Sequence, residues 1–179
     1  MIRHAPSVDG GCLAGARDVA ATLEGAKLAQ LRAAIGDVDH VIASPMQRCR
    51  QTAAALFDDW SIEPELREQN FGDWEGVPYT ELPDIGVMSG AELALHRPPQ
   101  GESFADLCAR ACPVISGLGH HDQHRKIALV VHAGTIRAAL SLAVGQPAAL
   151  SFQVANLSLT RLILLPQAAY SIAGVNWTA

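Results

Sequence analysis

Arg3 and His4 close a short apolar opening, Ile2-Arg3-His4-Ala5, and both side chains suit phosphate. The guanidinium is a fixed positive charge whose fork of donors matches phosphate oxygens, and the imidazole is a neutral nucleophile near physiological pH. Alone, the pair reads more simply as two frayed terminal residues. Recurrence gives it weight: Arg48 follows a strand-to-helix junction, His132 ends a second apolar run, and Glu68 opens Glu68-Gln69-Asn70-Phe71-Gly72-Asp73-Trp74-Glu75-Gly76, where acids lie among aromatics. A carboxyl partly buried under Phe71 and Trp74 would rise toward the range of a general acid. Each also has a plainer reading, as a solvated arginine, a hydrogen-bonded structural histidine or a loop acid facing water. Taken together they are a set that phosphoryl transfer can use.

These residues need elements that bring them to one place. Residues 6–21, rich in Gly, Ser and Asp, read as a long loop over His4, with Arg17 and Asp18 as candidate ligand contacts. The spacing from Thr22 to Ile35 predicts a scaffold helix, capped by Thr22 and stopped by Gly36. His40-Val41-Ile42-Ala43 predicts a strand feeding a helix with Ser44 as cap and Pro45 in its first position, a junction that binds anions readily. Arg48 then lies one turn inside, Arg50 points elsewhere, and Asp58-Asp59 ends the helix. Ile62 to Arg67 reads as extended and Pro78 to Leu82 as one helical turn, while residues 83–97 give no clear pattern. Phe104 to Leu118 is helical in pattern, with Pro113 expected to kink or end it. Ile127-Ala128-Leu129-Val130-Val131 predicts a central parallel strand buried on both faces, with His132 at its carboxyl end before another helix. Leu157–Leu165 and Tyr170–Val175 predict a closing hairpin around Pro166-Gln167. The expected class is α/β, with His4, Ser44 and His132 in the same topological position.

Length and composition bound the alternatives. The 179 residues fit one domain, 1–179, long enough to bury a core without staples. A formal charge of -5 argues against a general nucleic-acid binder, so an anionic ligand must be met by a local cluster of cations. Cys12, Cys49, Cys108 and Cys112 lack zinc or redox spacing, and Cys108 and Cys112 read as packing residues in a reduced compartment. His120-His121-Asp122-Gln123-His124 invites a metal, but adjacent histidines rarely converge on one ion, and a polar connector explains the segment better. With no signal segment and no apolar run near the ~20 residues that span a bilayer, the expectation is a cytoplasmic protein with no membrane partner. The opening strand is a stub, so either it is short or the native chain begins before Met1.

The ordered set Arg3-His4-Ala5, Ser44-Pro45-Met46-Gln47-Arg48, Leu66-Arg67-Glu68 with Phe71 to Gly76, Gly101-Glu102-Ser103 and Val131-His132-Ala133-Gly134 resembles the histidine phosphatase superfamily, the phosphoglycerate-mutase-like fold, over nearly the whole chain. The resemblance implies a three-layer α/β/α sandwich with a mostly parallel central sheet. It implies that His4 attacks phosphorus and becomes a phosphohistidine, that Arg3, Arg48 and His132 hold the non-bridging oxygens, and that Glu68 protonates the leaving alkoxide and then activates water. No metal or cofactor is implied, and the partner is a small phosphate ester. Ala133 replaces the first glycine of the common His-Gly-Gly and Ala5 the glycine of Arg-His-Gly, each adding a methyl where phosphate is tightly approached. Within the superfamily, Arg3-His4-Ala5-Pro6, Cys12 with Gly15 and Asp18, Arg48-Cys49-Arg50-Gln51-Thr52 and Pro98-Pro99-Gln100-Gly101-Glu102-Ser103 look most like the α-ribazole phosphatase branch. A protein-phosphohistidine phosphatase, a phosphoglycerate mutase, disfavoured by Gly10 in place of an asparagine, and a phosphate-binding module without turnover are the alternatives. Oligomeric state stays open, a dimer included.

Overall fold

The apolar run Ile127–Val131 sits in the interior of a six-stranded sheet. The computed structural model describes residues 1–118, 125–166 and 169–178. Its strands are β1 (Ile2–Arg3), β2 (His40–Ala43), β3 (Ser61–Ile62), β4 (Ile127–Val131), β5 (Leu159–Leu164) and β6 (Tyr170–Trp177), ordered β3-β2-β4-β1-β5-β6 across the sheet. The first four run parallel, and β5 and β6 complete the sheet antiparallel. The helices are α1 (Gly25–Ile35), α2 (Gln47–Leu56), α3 (Gly90–Leu95), α4 (Phe104–Leu118), α5 (Ala133–Val144) and α6 (Gln146–Ala149).

Side-chain alternation along β4 builds the layers. Ala128 and Val130 pack with Leu28 and Leu31 of α1 and Cys49, Ala53 and Leu56 of α2, whereas Leu129 and Val131 pack with Leu107 and Ala111 of α4 and Ile136 and Leu140 of α5. Both faces are therefore covered, which gives the expected α/β/α sandwich. β1, β2 and β4 all end on the same side, delivering His4, Ser44 and His132. His4 N donates to Val131 O at 2.9 Å and Ser44 N to Val130 O at 3.0 Å, so the site begins as a continuation of the ladder. Among the described residues no helix is long and apolar enough to cross a membrane.

Several expectations change in detail. α1 begins at Gly25 because residues 21 and 22 are pinned elsewhere: Ala21 bridges Ser7, and Thr22 N donates to Pro6 O at 2.7 Å. α2 begins at Gln47, which puts Arg48 in the first turn, and ends at Leu56, before the aspartates. Ser44 is not its N-cap, because the helix starts later, with Met46 in the cap position; the Ser44 hydroxyl pairs with His132 Nε2 at 2.7 Å and also accepts a longer bond from Met46 N at 3.4 Å. The anion at this helix start is the chain's own Asp18 carboxylate, which accepts from Gln47 N. α4 runs through Pro113 to Leu118, since Val114, Ile115 and Leu118 go on packing against the α5 side and offset the missing donor. The Ile62–Arg67 segment is extended only at Ser61–Ile62 and then forms a 3₁₀ turn, Pro64–Leu66. The unread stretch contains α3, started by a reciprocal capping box between Ser89 and Glu92. The His120 to His124 segment lies outside the described residues, as does Gln167 of the hairpin turn.

Candidate active site

His4 is held on both sides of its backbone. Beyond the bond to Val131, its carbonyl accepts from Asn156 Nδ2 at 2.9 Å, and the next amide, Ala5 N, donates to Thr52 Oγ1 at 2.9 Å. The brevity of β1 is thus compensated by contacts from α2 and from the chain leading into β5. The ring is almost fully buried, with Nδ1 2.7 Å from Ala5 O and Nε2 3.3 Å from Arg48 Nε. A carbonyl can only accept and a guanidinium can only donate, so the two contacts together select the Nδ1–H tautomer and leave the lone pair on Nε2. Burial, then the Arg48 charge, outweigh the Ala5 hydrogen bond and pull the His4 pKa down to about 3. The imidazole is neutral at any physiological pH, as a nitrogen nucleophile must be.

Arg48 is 1% exposed and ties the first loop to this ring. Nη1 donates to Arg17 O at 2.8 Å and Nη2 to Gly15 O at 2.7 Å. Gly15 has φ +52 and must be glycine, because a Cβ there would collide with the Glu75 carboxylate. Glu75 in turn accepts from Ala16 N at 2.7 Å and Phe71 N at 2.9 Å, so it is the acid that joins the first loop to the aromatic loop. Trp74 stacks on His96, with ring centroids 5.5 Å apart.

Arg3 is anchored by Nη1 to Val154 O at 2.6 Å, while its Nε is buried with no partner among the described residues. Burial lowers its pKa, and the nearby Glu68 charge opposes that. His132 is fully buried beneath the cluster. Its Nε2 pairs with Ser44 Oγ and lies 3.4 Å from Cys49 Sγ, and its ring meets His4 edge-on at 5.1 Å. Desolvation, then repulsion from His4 should that ring also be protonated and from the Arg48 and Arg3 charges, hold its pKa well below the usual value.

Glu68 faces this group across a cavity of about 210 Å³, whose walls include Arg3, His4, Arg48, Glu68, Ala133 and Gly134. Its carboxylate accepts from Gln69 N at 3.0 Å and from Gly134 N, at the start of α5, at 3.3 Å. A Cβ at Gly134 would collide with Glu68 Oε1, so the glycine sets how closely the carboxylate approaches the helix. A phosphoryl group in the cavity thus meets a lone pair, two guanidiniums and a carboxyl.

The expected residues do not all play the part foreseen. Arg3, His4, Arg48, Glu68 and Ala133 share the cavity, while His132 is buried beside it, edge-on to His4, with its Nε2 in contact with Ser44 Oγ and Cys49 Sγ. Arg17 contributes its carbonyl to Arg48, and its exposed guanidinium lies against Gly76, outside the residues that line the cavity. The Ala5 methyl is buried in the α1–α2 core and does not narrow the cavity, whereas Ala133 does line it. Arg137 was missed. One helical turn beyond Ala133 it reaches the cavity wall, held by Nε to Phe152 O at 2.9 Å. The i to i+4 spacing from Ala133 was the available signal.

Known proteins resemble this chain to different extents. Glucosyl-3-phosphoglycerate phosphatase of Mycolicibacterium vanbaalenii is 32% identical over 123 residues, covering 60% of this chain and 54% of that protein. Adenosylcobalamin/alpha-ribazole phosphatase of Escherichia coli is 27% identical over 118 residues, covering 62% and 58%. The matches thus span little more than half the length of these curated relatives. A solved structure of mycobacterial glucosyl-3-phosphoglycerate phosphatase superposes with a TM-score of 0.87 at 22% identity, over 100% of this chain and 98% of that one, which is agreement of fold. The family pattern of the histidine phosphatase superfamily (branch 1) matches residues 1–178, and the chain belongs to that superfamily.

Proposed function

We propose that this chain is a metal-independent phosphomonoesterase that passes the phosphoryl group through His4. The observation that carries the reading is the tautomer of His4: Nδ1–H is tied to Ala5 O, so the lone pair on Nε2 is kept beside Arg48 at the cavity. In the first step Nε2 attacks phosphorus, the ester P–O bond breaks, and Glu68 gives its proton to the leaving alkoxide. In the second, water gives a proton to Glu68 and attacks phosphorus, the P–N bond breaks, and phosphate and free His4 result. Arg3 and Arg48 spread the charge of the transferring group. The unpartnered Arg3 Nε is a donor that a phosphoryl oxygen can satisfy.

The third guanidinium narrows the substrate. When Glu68 carries the proton it must donate, Arg3, Arg48 and Arg137 face a phosphate dianion with one positive charge left over. An alcohol that itself carries a carboxylate or second phosphate restores the balance, and the 3-phosphoglycerate unit in the name of the mycobacterial relative is of that kind. α-Ribazole 5'-phosphate, with no such charge, is the second reading, supported by the E. coli similarity. Glu68 on the cavity wall speaks against a phosphohistidine substrate, whose leaving group needs less help.

Phosphate release from p-nitrophenyl phosphate with and without EDTA tests the chemistry, and no release from folded protein would remove it. A panel setting phosphoglycerate-type esters against glycerol phosphate and α-ribazole phosphate tests the substrate. Arg137→Met should cut kcat/KM for the anionic esters by about 10–100-fold, the loss usual for a charged hydrogen-bonding partner. It should leave the uncharged alcohols within about 3-fold; equal losses sink the charge argument.

A further inference from the structure

Glu68 sits on a segment without a sheet partner. It follows the 3₁₀ turn Pro64–Leu66 and precedes a loop, so its backbone acceptors have no ladder to satisfy them. They are met instead by one side chain of α4. Arg110 donates from Nη1 to Glu65 O at 2.7 Å and Arg67 O at 2.9 Å, and from Nη2 to Glu68 O at 2.8 Å. Its remaining donors grip Glu102 side-on, Nε to Oε1 at 3.0 Å and Nη2 to Oε2 at 2.9 Å. All five N–H groups of the guanidinium are thus engaged, three on the backbone that carries Glu68.

Glu102 closes the clamp from the other side. Its carboxylate accepts from Asn70 N at 3.0 Å, its backbone N donates to Asn70 O at 2.7 Å, and its carbonyl accepts from Gln69 Nε2 at 2.7 Å. Arg67 adds a longer ion pair at 3.6 Å. The two side chains are 11% and 21% exposed, so the pair is only weakly screened. Burial pushes the Glu102 pKa up, but the Arg110 and Asn70 hydrogen bonds and the Arg110 charge outweigh it and hold the carboxyl below its usual range.

From this geometry we infer that Arg110 and Glu102 are the positioning pair for the proton donor: they fix residues 65–70 so that the Glu68 carboxyl stands at the α5 start, facing His4. Neither lines the cavity, so neither touches substrate. A misplaced donor harms the step that needs its proton and spares the one that does not, which gives the pair a signature beyond folding. The inference rests on Glu68 as the acid.

The experiment compares kcat on p-nitrophenyl phosphate, which leaves without help, and on β-glycerophosphate, which does not. Arg110→Met should lose about 10²-fold on the alkyl ester and less than about 3-fold on the aryl ester. Inhibition by inorganic phosphate should hold, because Arg3 and Arg48 are untouched. Arg110→Lys, which keeps the charge without the fork, should recover only part of the loss. In Glu68→Gln the further change Arg110→Met should cost little more on the alkyl ester. Equal losses on both esters, or additive losses with Glu68→Gln, overturn the inference. Should Arg110→Met not fold, Glu102→Gln carries the comparison with a smaller expected bias of the same sign, because it removes the charge that aims the Arg110 fork and weakens the contact with Asn70 N. If Glu68→Gln itself shows no leaving-group bias, the donor assignment has failed; if it does and the clamp variants do not, only the clamp has.

Discussion

The two sides of the cavity are built by different means. His4, Ser44 and His132 sit at the ends of β1, β2 and β4, and main-chain hydrogen bonds place the backbone of His4 and Ser44. Glu68 sits on irregular chain held by side chains, with Arg110 and Glu102 on one flank and Gly134 on the other. A ladder is cooperative and tolerant of single side-chain changes, whereas a clamp made of a few charged groups fails when one is removed. The nucleophile side should therefore resist all but changes to the reacting residues, while the acid side should be sensitive at positions that never meet substrate.

The largest effects separate the two sides by chemistry. His4→Ala removes the attacking nitrogen, and turnover of every ester should fall on the order of 10⁵-fold or more, as loss of a nucleophile does in other enzymes. Rapid alkaline quench with a ³²P-labelled ester should trap a base-stable, acid-labile phosphoenzyme in the native protein and none in the variant; a label that survives the substitution ends the assignment. Glu68→Gln should cost about 10²–10⁴-fold on alkyl phosphates and much less on aryl phosphates with good leaving groups. Equal loss across leaving groups would mean that Glu68 positions substrate and transfers no proton.

Gly134→Ala is a smaller probe of the acid side alone. The added methyl meets the Glu68 carboxylate and Leu107, while the backbone of α5 stays helical. The carboxyl must retreat from the helix start, and kcat on alkyl phosphates should drop about 10-fold with the nucleophile intact. An unchanged kcat would show that the carboxylate has room to move and that the clamp is looser than its contacts suggest.

The same contrast governs how much the sequence discloses. Strand-end residues are legible because an apolar run such as Ile127–Val131 announces both the strand and the place where it stops, so His132 could be assigned a position from pattern alone. The Glu68 side leaves no such trace. Arg110 is an unremarked cation within an amphipathic helix, and its tie to residues 65–68 joins positions 42 or more apart in sequence, which periodicity does not encode. Ser44 is a related case, since a serine before Pro45 fits a cap locally, but the helix starts only at Gln47 and the tie of the hydroxyl to His132, 88 positions away, leaves no trace in the pattern. α3 was legible in principle, Ser89 and Glu92 having capping-box spacing, but its short apolar face gave no period to find.

The smallest expected effect reports on burial of the nucleophile side. His4 titrates at about 3 in the folded protein, against 6.5 for an ordinary histidine. Because the folded value is the lower one, the unfolded chain binds a proton first as pH falls. Stability is complete above pH ~6.5 and declines toward pH ~3 by about 1.4 kcal/mol per unit for one such residue. His132 is shifted the same way and adds to the decline. Glu102, whose folded value is depressed below that of a free carboxyl, loses its contribution only at lower pH, but the Met1 amino group, lowered by burial to about 5, declines over the same interval from 7.5 to 5, so it is the difference from a His4 variant that isolates His4. Urea unfolding of the native protein should lose about 2 kcal/mol more than His4→Gln across that interval. A variant that tracks the native protein would place the His4 ring in contact with water, and the neutral nucleophile would then need another source than burial.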